Sequence, residues 1–488
     1  MAVLIDFEFR NSQEPNLELV CCCFKVDNNP TQLFWLHKQD YTPLRNALVK
    51  LKDKKFVSYA ATAEARSFLA LGLNPLEFTW IDLYLEYRCL ANQSNDIMYG
   101  PQLIDGEVKV TKPANKWDAK EDKTSDSSKM SYGLAACTFK LLGKIINTKQ
   151  KEETVHKIIT QTEFSEQDKI DILNYCASDL DNLNEIKNKI IEIYDSRVRS
   201  PTLSKEIFLR GEYAARSAIM EQLGYPVDVK GMEHLRDNVP KILKDLAEDI
   251  NSRFKIFKWL PKENRYGKDN KEIQKQFEAY LNEHSITDYP RSNKTKALKM
   301  DKKLLEDKFQ FKHNYPDNDF IAQYMRFMHT ESNIKSFRDK KGKKDKFIFD
   351  KLGSDGRIRP FFGIYGSLTA RSQPESSYYM MLKSSWLRSL VDPKPGRVIC
   401  GIDYSSQEFL ISALVSGDRK MLEAYKSGDV YLAFGKAVGA IPKDATKSSH
   451  KQLRELFKST VLGLSYNMGY KALAIKLRRD TGDKTITD

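Results

Sequence analysis

The sequence predicts a mixed α/β domain followed by a mainly helical region that contains a short α+β segment. Residues 1–90 alternate β-rich runs with helical patterns, which is typical of a sheet covered by helices. Apolar residues recur at helical spacing over 205–260 and again after residue 406. Between these helical regions, residues 397–404 (Arg-Val-Ile-Cys-Gly-Ile-Asp-Tyr) form an apolar run of the kind found in buried strands.

Local sequence patterns predict the individual strands and helices. Period-two alternation and β-forming residues predict strands over 3–9, 17–26, 33–36 and 55–59. Helical periodicity predicts helices over 64–71, 131–145, 165–196, 205–260, 406–426, 430–438 and 450–478. Gly72 ends the first of these helices, and Gly224-Tyr-Pro226 interrupts the fourth. Residues 92–130 are polar and rich in turn residues, so we expect an inserted loop there.

Length and composition exclude several classes of protein. A chain of 488 residues suggests about three domains, and 41% hydrophobic with 30% charged residues argues against global disorder. No stretch approaches the roughly 18 uncharged apolar residues of a membrane span, and the first residues do not form a signal peptide. The seven cysteines, three of them consecutive at Cys21–Cys23, indicate reduced thiols in a cytoplasm and no zinc site.

Positive charge is concentrated in one segment. Residues 251–360 hold 27 Lys and Arg against 16 Asp and Glu, which accounts for 11 of the 13 net positive charges. Such a block is expected where a protein contacts a nucleic-acid backbone. A solvated lysine-rich surface explains the block equally well.

Two acids lie on the first predicted strand. Period two places Asp6 and Glu8 on one face, with Ile5, Phe7 and Phe9 on the other. Neighbouring carboxylates repel unless a cation lies between them, and Mg²⁺ and Mn²⁺ prefer such oxygen ligands. The plainer interpretation is an acidic strand edge that faces solvent.

Further acids follow along the chain. Tyr175 and Asp179 are one turn apart on the helix over 165–196, so they share one helix face. A metal-binding acid beside a phenol that orients water suits phosphodiester hydrolysis with two ions. Glu64 or Asp82 would supply a middle acid.

In this order the acids resemble the three motifs of DEDDy 3′–5′ proofreading exonucleases, which have an RNase H-like fold. The resemblance implies that Asp6, Glu8 and Asp179 bind two Mg²⁺ or Mn²⁺ ions and that Tyr175 assists them. The middle motif of that group usually holds Asn and Asp, whereas residues 59–64 here read Tyr-Ala-Ala-Thr-Ala-Glu. We assign the catalytic role to Glu64 and a packing or supporting role to Asp82.

A second set of residues lies in the C-terminal quarter. Asp403 ends the predicted buried strand, where the carbonyl oxygen of Tyr404 could supply a second metal ligand, and Glu408 follows. Helical spacing then places four residues in one stripe, namely Arg454, Lys458, Leu462 and Tyr466. Two cations one turn apart suit a triphosphate, and an aromatic residue beyond them could stack near a base. An ordinary amphipathic helix with a basic face is the alternative.

These residues resemble motifs A and B of family A DNA polymerases, the bacterial DNA polymerase I-like group. Motif A is matched by Asp403-Tyr-Ser-x-x-Glu408, and motif B by Arg454, Lys458 and Tyr466. Residues 366–372, with Thr369 and Arg371, resemble the T-x-R primer–template segment of that family. Residues 209–213 and 220–228 resemble the helix and the G-x-P-V-D segment that open its polymerase portion.

The resemblance implies a right-hand polymerase with an α+β palm and helical thumb and fingers. In it Asp403 would bind two catalytic ions with the Tyr404 carbonyl, and Glu408 would exclude a ribose 2′-hydroxyl. Arg454 and Lys458 would hold the triphosphate, Tyr466 would lie by the templating base, and Thr369 and Arg371 would contact the primer–template. Leu462 replaces an aromatic residue, and Leu410 an arginine, that the family often has.

The resemblance to family A polymerases and proofreading exonucleases implies five segments of the chain. They are an exonuclease domain (1–200, with the loop 92–130), the start of the palm (201–250), a basic thumb (251–350), a palm with motif A (351–430) and partial fingers (431–488). The family also has a His-Asp-Glu-like third motif, yet none of the seven histidines precedes Asp-Glu, and the chain continues only about 20 residues past Tyr466. We therefore expect an incomplete polymerase site that needs a second polypeptide.

The expected ligands are primer–template DNA, single-stranded DNA, dNTPs and two Mg²⁺ or Mn²⁺ ions per site, with no membrane. A phage origin, and thus a place in the host cytoplasm, fits the compact size and lysine-rich composition. Two alternatives stay open at this point: a free-standing 3′–5′ exonuclease, and a DNA-binding subunit without catalysis.

Overall fold

A computed structural model describes most of the chain. The described residues are 1–10, 13–15, 17–93, 100–104, 107–111, 132–146, 148–197, 202–292, 295–309, 315–337, 348–367, 369–375, 384–466 and 468–481. They fall into two compact units. The first comprises Met1–Met232 with Asp339–Lys394, and the second comprises Glu233–Arg338 with Pro395–Asp488.

A five-stranded mixed sheet forms the centre of the first unit. Its strands are β1 (Ala2–Arg10), β2 (Glu18–Val26), β3 (Gln32–Trp35), β4 (Lys55–Ser58) and β5 (Thr79–Asp82). The spatial order is β3-β2-β1-β4-β5, with β1 antiparallel to β2 and parallel to β4. The four strands predicted from the sequence are thus present, and β5 adds an edge strand next to β4.

The described helices of eight or more residues that lie wholly in this unit are α1 (Thr42–Val49), α2 (Thr62–Ala70), α3 (Leu83–Gln93), α4 (Leu134–Leu142), α5 (Thr148–Thr160), α6 (Glu166–Arg197) and α7 (Leu203–Leu223). Helices α2 and α7 cover one face of the sheet, where Phe7, Phe56 and Phe68 form a buried cluster. Helices α3, α4 and α6 cover the other face, around Leu4 and Leu180. The alternation predicted for β1 is confirmed, because Ile5 and Phe7 pack toward α2 and α7.

The contact between α7 and β5 is close. A Cβ atom on Gly211 would lie 2.0 Å from the carbonyl oxygen of Trp80, so only glycine lets the helix approach the strand at this point. The preceding residue, Arg210, donates hydrogen bonds of 2.7 Å from both Nε and Nη2 to the buried Glu86 carboxylate of α3. Tyr194 of α6 donates to the same carboxylate at 2.6 Å. A buried ion pair therefore connects α3, α6 and α7.

The prediction of one loop over 92–130 is wrong in part. Helix α3 continues to Gln93, and a hairpin of β6 (Gly100–Ile104) and β7 (Glu107–Thr111) follows. The alternating Val108 and Val110 in the sequence favour a strand over a loop. The rest of the predicted loop, residues 112–130, lies outside the described residues.

The first unit ends with short elements. Two-residue strands, Tyr225–Pro226 and Arg357–Ile358, pair antiparallel, and Gly224 precedes them at a φ of +56°. A single helical turn spans Ser385–Arg388. Short 3₁₀ segments lie at Pro75–Glu77 and Ile348–Lys351 in this unit, and at Pro261–Glu263 and Lys335–Phe337 in the second.

The second unit is mainly helical. Its helices are α8 (Val229–Phe254, which begins in the first unit), α9 (Asn270–Glu283), α10 (Lys302–Phe309), α11 (Phe320–Ile334), α12 (Gln407–Ser416), α13 (Arg419–Lys426), α14 (Val430–Ala437), α15 (Lys451–Ser465) and α16 (Tyr470–Thr481). A hairpin of β8 (Phe257–Leu260) and β9 (Arg265–Lys268) separates α8 from α9. One core, around Phe277 and Ile321, joins α8 to α11, and a smaller one, around Phe457, joins α14 to α15.

Two predicted helices are each divided. The segment 406–426 breaks after Ser416, because Gly417 adopts a φ of +68° and the side chain of Asp418 caps α13. The segment 450–478 breaks between α15 and α16. Among the helices that the structure describes, none combines the length and the apolar character needed to cross a bilayer.

The prediction of a buried strand over residues 397–404 is wrong. The segment is irregular, and Val398, Ile402 and Tyr404 are 82%, 92% and 77% exposed. No strand among the described residues pairs with it. An apolar sequence favours a strand only when a neighbouring strand supplies hydrogen bonds and a packing surface.

The two units group residues differently from the five predicted segments. Residues 201–232 and 339–394 lie with residues 1–200 in the first unit, whereas 395–430 lie in the second. Helix α7 accounts for part of the difference, because Ala214 and Ala215 belong to the core of the sheet. The functional division into palm, thumb and fingers stays a prediction.

The buried ion pair gives a stability prediction. Arg210→Met leaves the Glu86 carboxylate buried without its cation, so we expect a loss of about 3–5 kcal/mol in the free energy of unfolding. Urea unfolding followed by circular dichroism measures it. The matched control is Arg216→Met on the same helix, which breaks an exposed pair with Glu212 and should cost less than about 1 kcal/mol. Equal losses for the two variants would contradict the prediction.

Candidate active sites

The first candidate site lies where α6 crosses β1. Asp6 and Glu8 share the face of β1 that packs on α6, and the Cys176 thiol donates a 3.5 Å hydrogen bond to the backbone carbonyl of Asp6. Burial, and then the charges of Asp179, Glu8 and Asp6, raise the pKa of Tyr175. The structure therefore brings these four predicted residues into one neighbourhood. Between Glu8 and Phe9 a β-bulge interrupts the pairing of β1 with β2, and such a bulge bends the strand locally.

Glu64 joins the same neighbourhood from α2. It lies in the first turn of this helix and is 2% exposed. Its Oε2 atom has no hydrogen-bond partner among the residues described. Burial, followed by the charge of Asp6, raises the pKa of Glu64 well above its ordinary value. A buried carboxyl of this kind is stabilised either by a proton or by a cation.

A cleft of about 600 Å³ opens beside these residues. Tyr175 and Asp179 line it together with Glu153, Lys157 and Asn174. It is large enough for a nucleotide-sized ligand. Sequence reasoning missed Lys157, which pairs with Asp168, because no local pattern links α5 to a position on α6.

The carboxylate oxygens of this site are suitable ligands for a hard divalent cation. The charge of Asp6 on β1 helps to raise the pKa of Glu64 on α2, and a cation between the two carboxyl groups would relieve that repulsion. In the described part of the chain, however, no three His, Cys, Asp or Glu side chains are gathered as a ready-made ligand group. The acids would therefore have to move closer to share one ion.

The second candidate site, in the second unit, contains one contact between the residues predicted for motif A and those predicted for motif B. The Tyr466 hydroxyl, just beyond α15, donates a 2.5 Å hydrogen bond to Glu408 Oε2 in the first turn of α12. Asp403 and Tyr404 lie before α12 in the exposed irregular segment. Leu462 is half-buried on α15.

The two cations of the stripe already have carboxylate partners. Arg454 Nε donates to Asp429 Oδ2 at 2.5 Å, and its Nη1 donates to Glu455 at 2.8 Å. Lys458 lies 4.0 Å from Glu455 and is about half exposed. To bind a phosphate, Arg454 would have to exchange Asp429 for it, whereas Lys458 is more accessible. Only the tertiary structure reveals the bond to Asp429, 25 residues away.

Thr369 and Arg371 lie on an exposed tight turn of the first unit. The Ser367 hydroxyl contacts Thr369 Oγ1 at 3.0 Å and accepts from the Arg371 backbone N–H at 2.9 Å. Ala370 between them adopts a φ of +59°. The turn thus presents both predicted DNA-binding side chains from a hydrogen-bonded loop.

Comparisons with known proteins give a consistent result. Residues 240–486, about half of the chain, match DNA polymerase family A. The DNA polymerase of Mycobacterium phage L5 is 30% identical over 109 residues, which cover 22% of this chain and 18% of the phage protein. The matched region thus spans less than a fifth of that relative.

A solved structure extends the likeness to nearly the whole chain. The POL domain of Pol1 from M. smegmatis, in complex with DNA primer-template and dNTP, superposes with a TM-score of 0.56 at 14% identity. The match covers 98% of this chain and 72% of that one. At this identity the likeness shows a shared fold.

The burial of Glu64 predicts a pH dependence of stability. Its folded-state pKa lies above the ordinary value of 4.5, so its contribution is full below pH 4.5 and is lost as the pH rises through the folded-state pKa. Glutamine cannot ionise. Between about pH 5 and about pH 8, with chelator present, the urea midpoint of the wild type should therefore fall relative to that of Glu64→Gln.

The control for this measurement is Glu192→Gln, which alters an exposed acid on α6 that pairs with Lys189. An exposed pair contributes little to stability, so this variant should follow the wild type at both pH values. A constant difference between the wild type and Glu64→Gln would show that Glu64 ionises as freely in the folded chain as in the unfolded one.

Proposed function

The chain belongs to DNA polymerase family A, and we propose that it joins a 3′–5′ exonuclease site in its first unit to part of a DNA polymerase site in its second. The observation that carries the exonuclease proposal is the convergence of Asp6, Glu64 and Tyr175 from β1, α2 and α6. The family match and the contact of Glu408 with Tyr466 support the polymerase proposal.

In the exonuclease site, Asp6, Glu8 and Asp179 would hold two Mg²⁺ or Mn²⁺ ions. Such ions activate a water molecule and stabilise the leaving oxygen of a phosphodiester. Burial keeps the Tyr175 phenol protonated, so this group can donate a hydrogen bond that orients the attacking water. Glu64 would add a negative charge beside Asp6. The cleft that Tyr175 and Asp179 line would receive the terminal nucleotide of single-stranded DNA.

In the polymerase site, Asp403 and the Tyr404 carbonyl would hold two further Mg²⁺ or Mn²⁺ ions. Glu408, fixed by the hydroxyl of Tyr466, would lie against the sugar of a dNTP and exclude a 2′-hydroxyl. Lys458 would bind the triphosphate directly, and Arg454 would do so after releasing Asp429.

The remaining proposed contacts are to DNA and to the template. Tyr466 would lie by the templating base, with Leu462 one turn before it on the same stripe. Thr369 and Arg371 would contact the primer–template, and the basic segment 251–360 would hold the duplex backbone without reading its sequence.

A second polypeptide would complete the polymerase site. Asp403 is a single carboxylate in an exposed segment, whereas two-ion transfer needs at least one more acid. The apolar side chains of residues 398–404 and of α12 (Ile411, Leu414 and Val415) are exposed. A strand added by another chain would cover this surface, as sheets commonly bind extended partners.

A stand-alone exonuclease is the second candidate function. It is favoured by a contrast between the two units: in the first, the charge of Asp6 acts on the buried Glu64, whereas in the second Arg454 is already paired with Asp429. The likeness to a phage DNA polymerase supports a phage origin, which would place the protein in the host cytoplasm.

The exonuclease proposal is tested on 5′-labelled single-stranded DNA. The purified chain with Mg²⁺ or Mn²⁺ should shorten the strand from its 3′ end, and EDTA should stop the reaction. Asp6→Asn should lower the rate roughly 100-fold or more, because it removes a metal-binding charge.

The matched control is Asp181→Asn, which alters an exposed acid on α6 and should leave the rate unchanged. Equal rates for Asp6→Asn and the wild type would refute the proposal, and no cleavage by either would favour a non-catalytic DNA-binding subunit.

The polymerase proposal is tested by primer extension. With a labelled primer–template, dNTPs and Mg²⁺, the chain alone should bind DNA but add no nucleotide. Addition of a polypeptide that carries a His-Asp-Glu segment should start extension, and Asp403→Asn should abolish it. Extension by the lone chain would rule out the need for a partner.

A further inference from the structure

One buried carboxylate joins the amino ends of two helices in the first unit. Asp82, fully buried at the end of β5, accepts hydrogen bonds from three backbone N–H groups. Its Oδ1 atom accepts from Ala60 at 3.2 Å and from Leu85 at 3.1 Å, and its Oδ2 atom accepts from Ala61 at 2.9 Å. Leu85 lies in the first turn of α3, and Ala61 immediately precedes α2.

The turn that Asp82 contacts has an unfavourable backbone conformation. Ala60 adopts a φ of +67°, which is unfavourable for a residue with a Cβ atom. Ala61 caps α2 without a side-chain hydrogen bond. The carboxylate of Asp82 therefore replaces the missing cap of α2 and fixes the strained turn between β4 and α2.

Glu64 lies directly after this turn, in the first turn of α2. The charges of both Asp6 on β1 and Asp82 on β5 act on its carboxyl group, so Glu64 lies within electrostatic reach of both acids. Burial raises the pKa of Asp82 to about 7, against the three N–H donors that lower it. Burial of a carboxyl group costs free energy, and a helix cap at the surface would avoid that cost. Asp82 is nevertheless buried.

We propose that Asp82 is a positioning residue of the nuclease site, which fixes the turn Ala60–Ala61 and thereby places the Glu64 carboxyl beside Asp6. The inference rests on the proposed exonuclease and extends it to a residue that touches neither substrate nor ion. Groups that orient ligating residues commonly affect metal affinity or activity by roughly 10- to 100-fold when altered.

Two variants test the proposal. Asp82→Asn keeps one acceptor oxygen but places its amide N–H donor opposite a backbone N–H group. The variant therefore loses part of the hydrogen bonding that fixes the turn. Asp82→Ser keeps a cap for α3 but is too short to reach both alanines, so it separates capping of α3 from placement of Glu64. For both, the kcat for 3′–5′ hydrolysis of a single-stranded oligonucleotide should fall roughly 10- to 100-fold, with little change in KM.

A second readout does not depend on catalysis. Calorimetric titration with Mn²⁺ in the absence of DNA should show weaker binding by both variants than by the wild type. Thermal unfolding should show that both variants remain folded at the assay temperature. Asp82→Glu, which restores a carboxylate, should recover part of the kcat and of the Mn²⁺ affinity.

The matched control is Asp418→Asn, which removes a comparable helix cap, the bond to the Met421 N–H, in the second unit. It should leave both the kcat and Mn²⁺ binding unchanged. A lower melting temperature for Asp82→Asn with wild-type kcat and Mn²⁺ affinity would overturn the inference and leave the proposed exonuclease intact. If the wild type itself cleaves no DNA, the proposed function fails, and equal Mn²⁺ affinity of wild type and Asp82→Asn would overturn the inference as well.

Discussion

The buried carboxylates at the junction of β5 and α3 hold the first unit in its arrangement. Asp82 binds the amino ends of α2 and α3, and one turn later Glu86 binds Arg210 of α7 and Tyr194 of α6. Both acids are almost fully buried. Because an unpaired buried charge is costly, each contact constrains the partner that satisfies it. The elements that carry Glu64, Tyr175 and Asp179 are thereby connected through this one junction.

That arrangement explains how the fold accommodates the buried Glu64 carboxyl group, which the charges of Asp6 and Asp82 disfavour in its ionised form. Apolar clusters on both faces of the sheet supply the stability, and the polar contacts at β5 fix the orientation of the helices. The acids themselves oppose folding when they ionise, as the raised pKa values of Glu64 and Asp82 indicate. Such opposition is common where a site is built to bind a cation.

The second unit differs from the first, because its candidate site lies among exposed apolar side chains. Its helical cores are well packed, yet the segment with Asp403 and the outer face of α12 leave large apolar side chains in solvent. Arg454 is engaged by the carboxylate that caps α14, so this cation stabilises the helix junction in the state described. The residues proposed for the polymerase site are therefore joined in part, through Glu408 and Tyr466, whereas Asp403 lies in an exposed segment.

The sequence by itself determined most local structure and the identity of the acids. Alternation on β1 predicted the faces of Asp6 and Phe7, and helical spacing predicted that Tyr175 and Asp179 share a face, because both depend only on backbone period. Only the tertiary structure decided the contacts between distant segments: Asp82 with Ala60 and Ala61, Arg454 with Asp429, and the exposure of residues 397–404. Local patterns do not specify partners far along the chain, and a strand or a buried charge is stabilised only by the partner that packing brings to it.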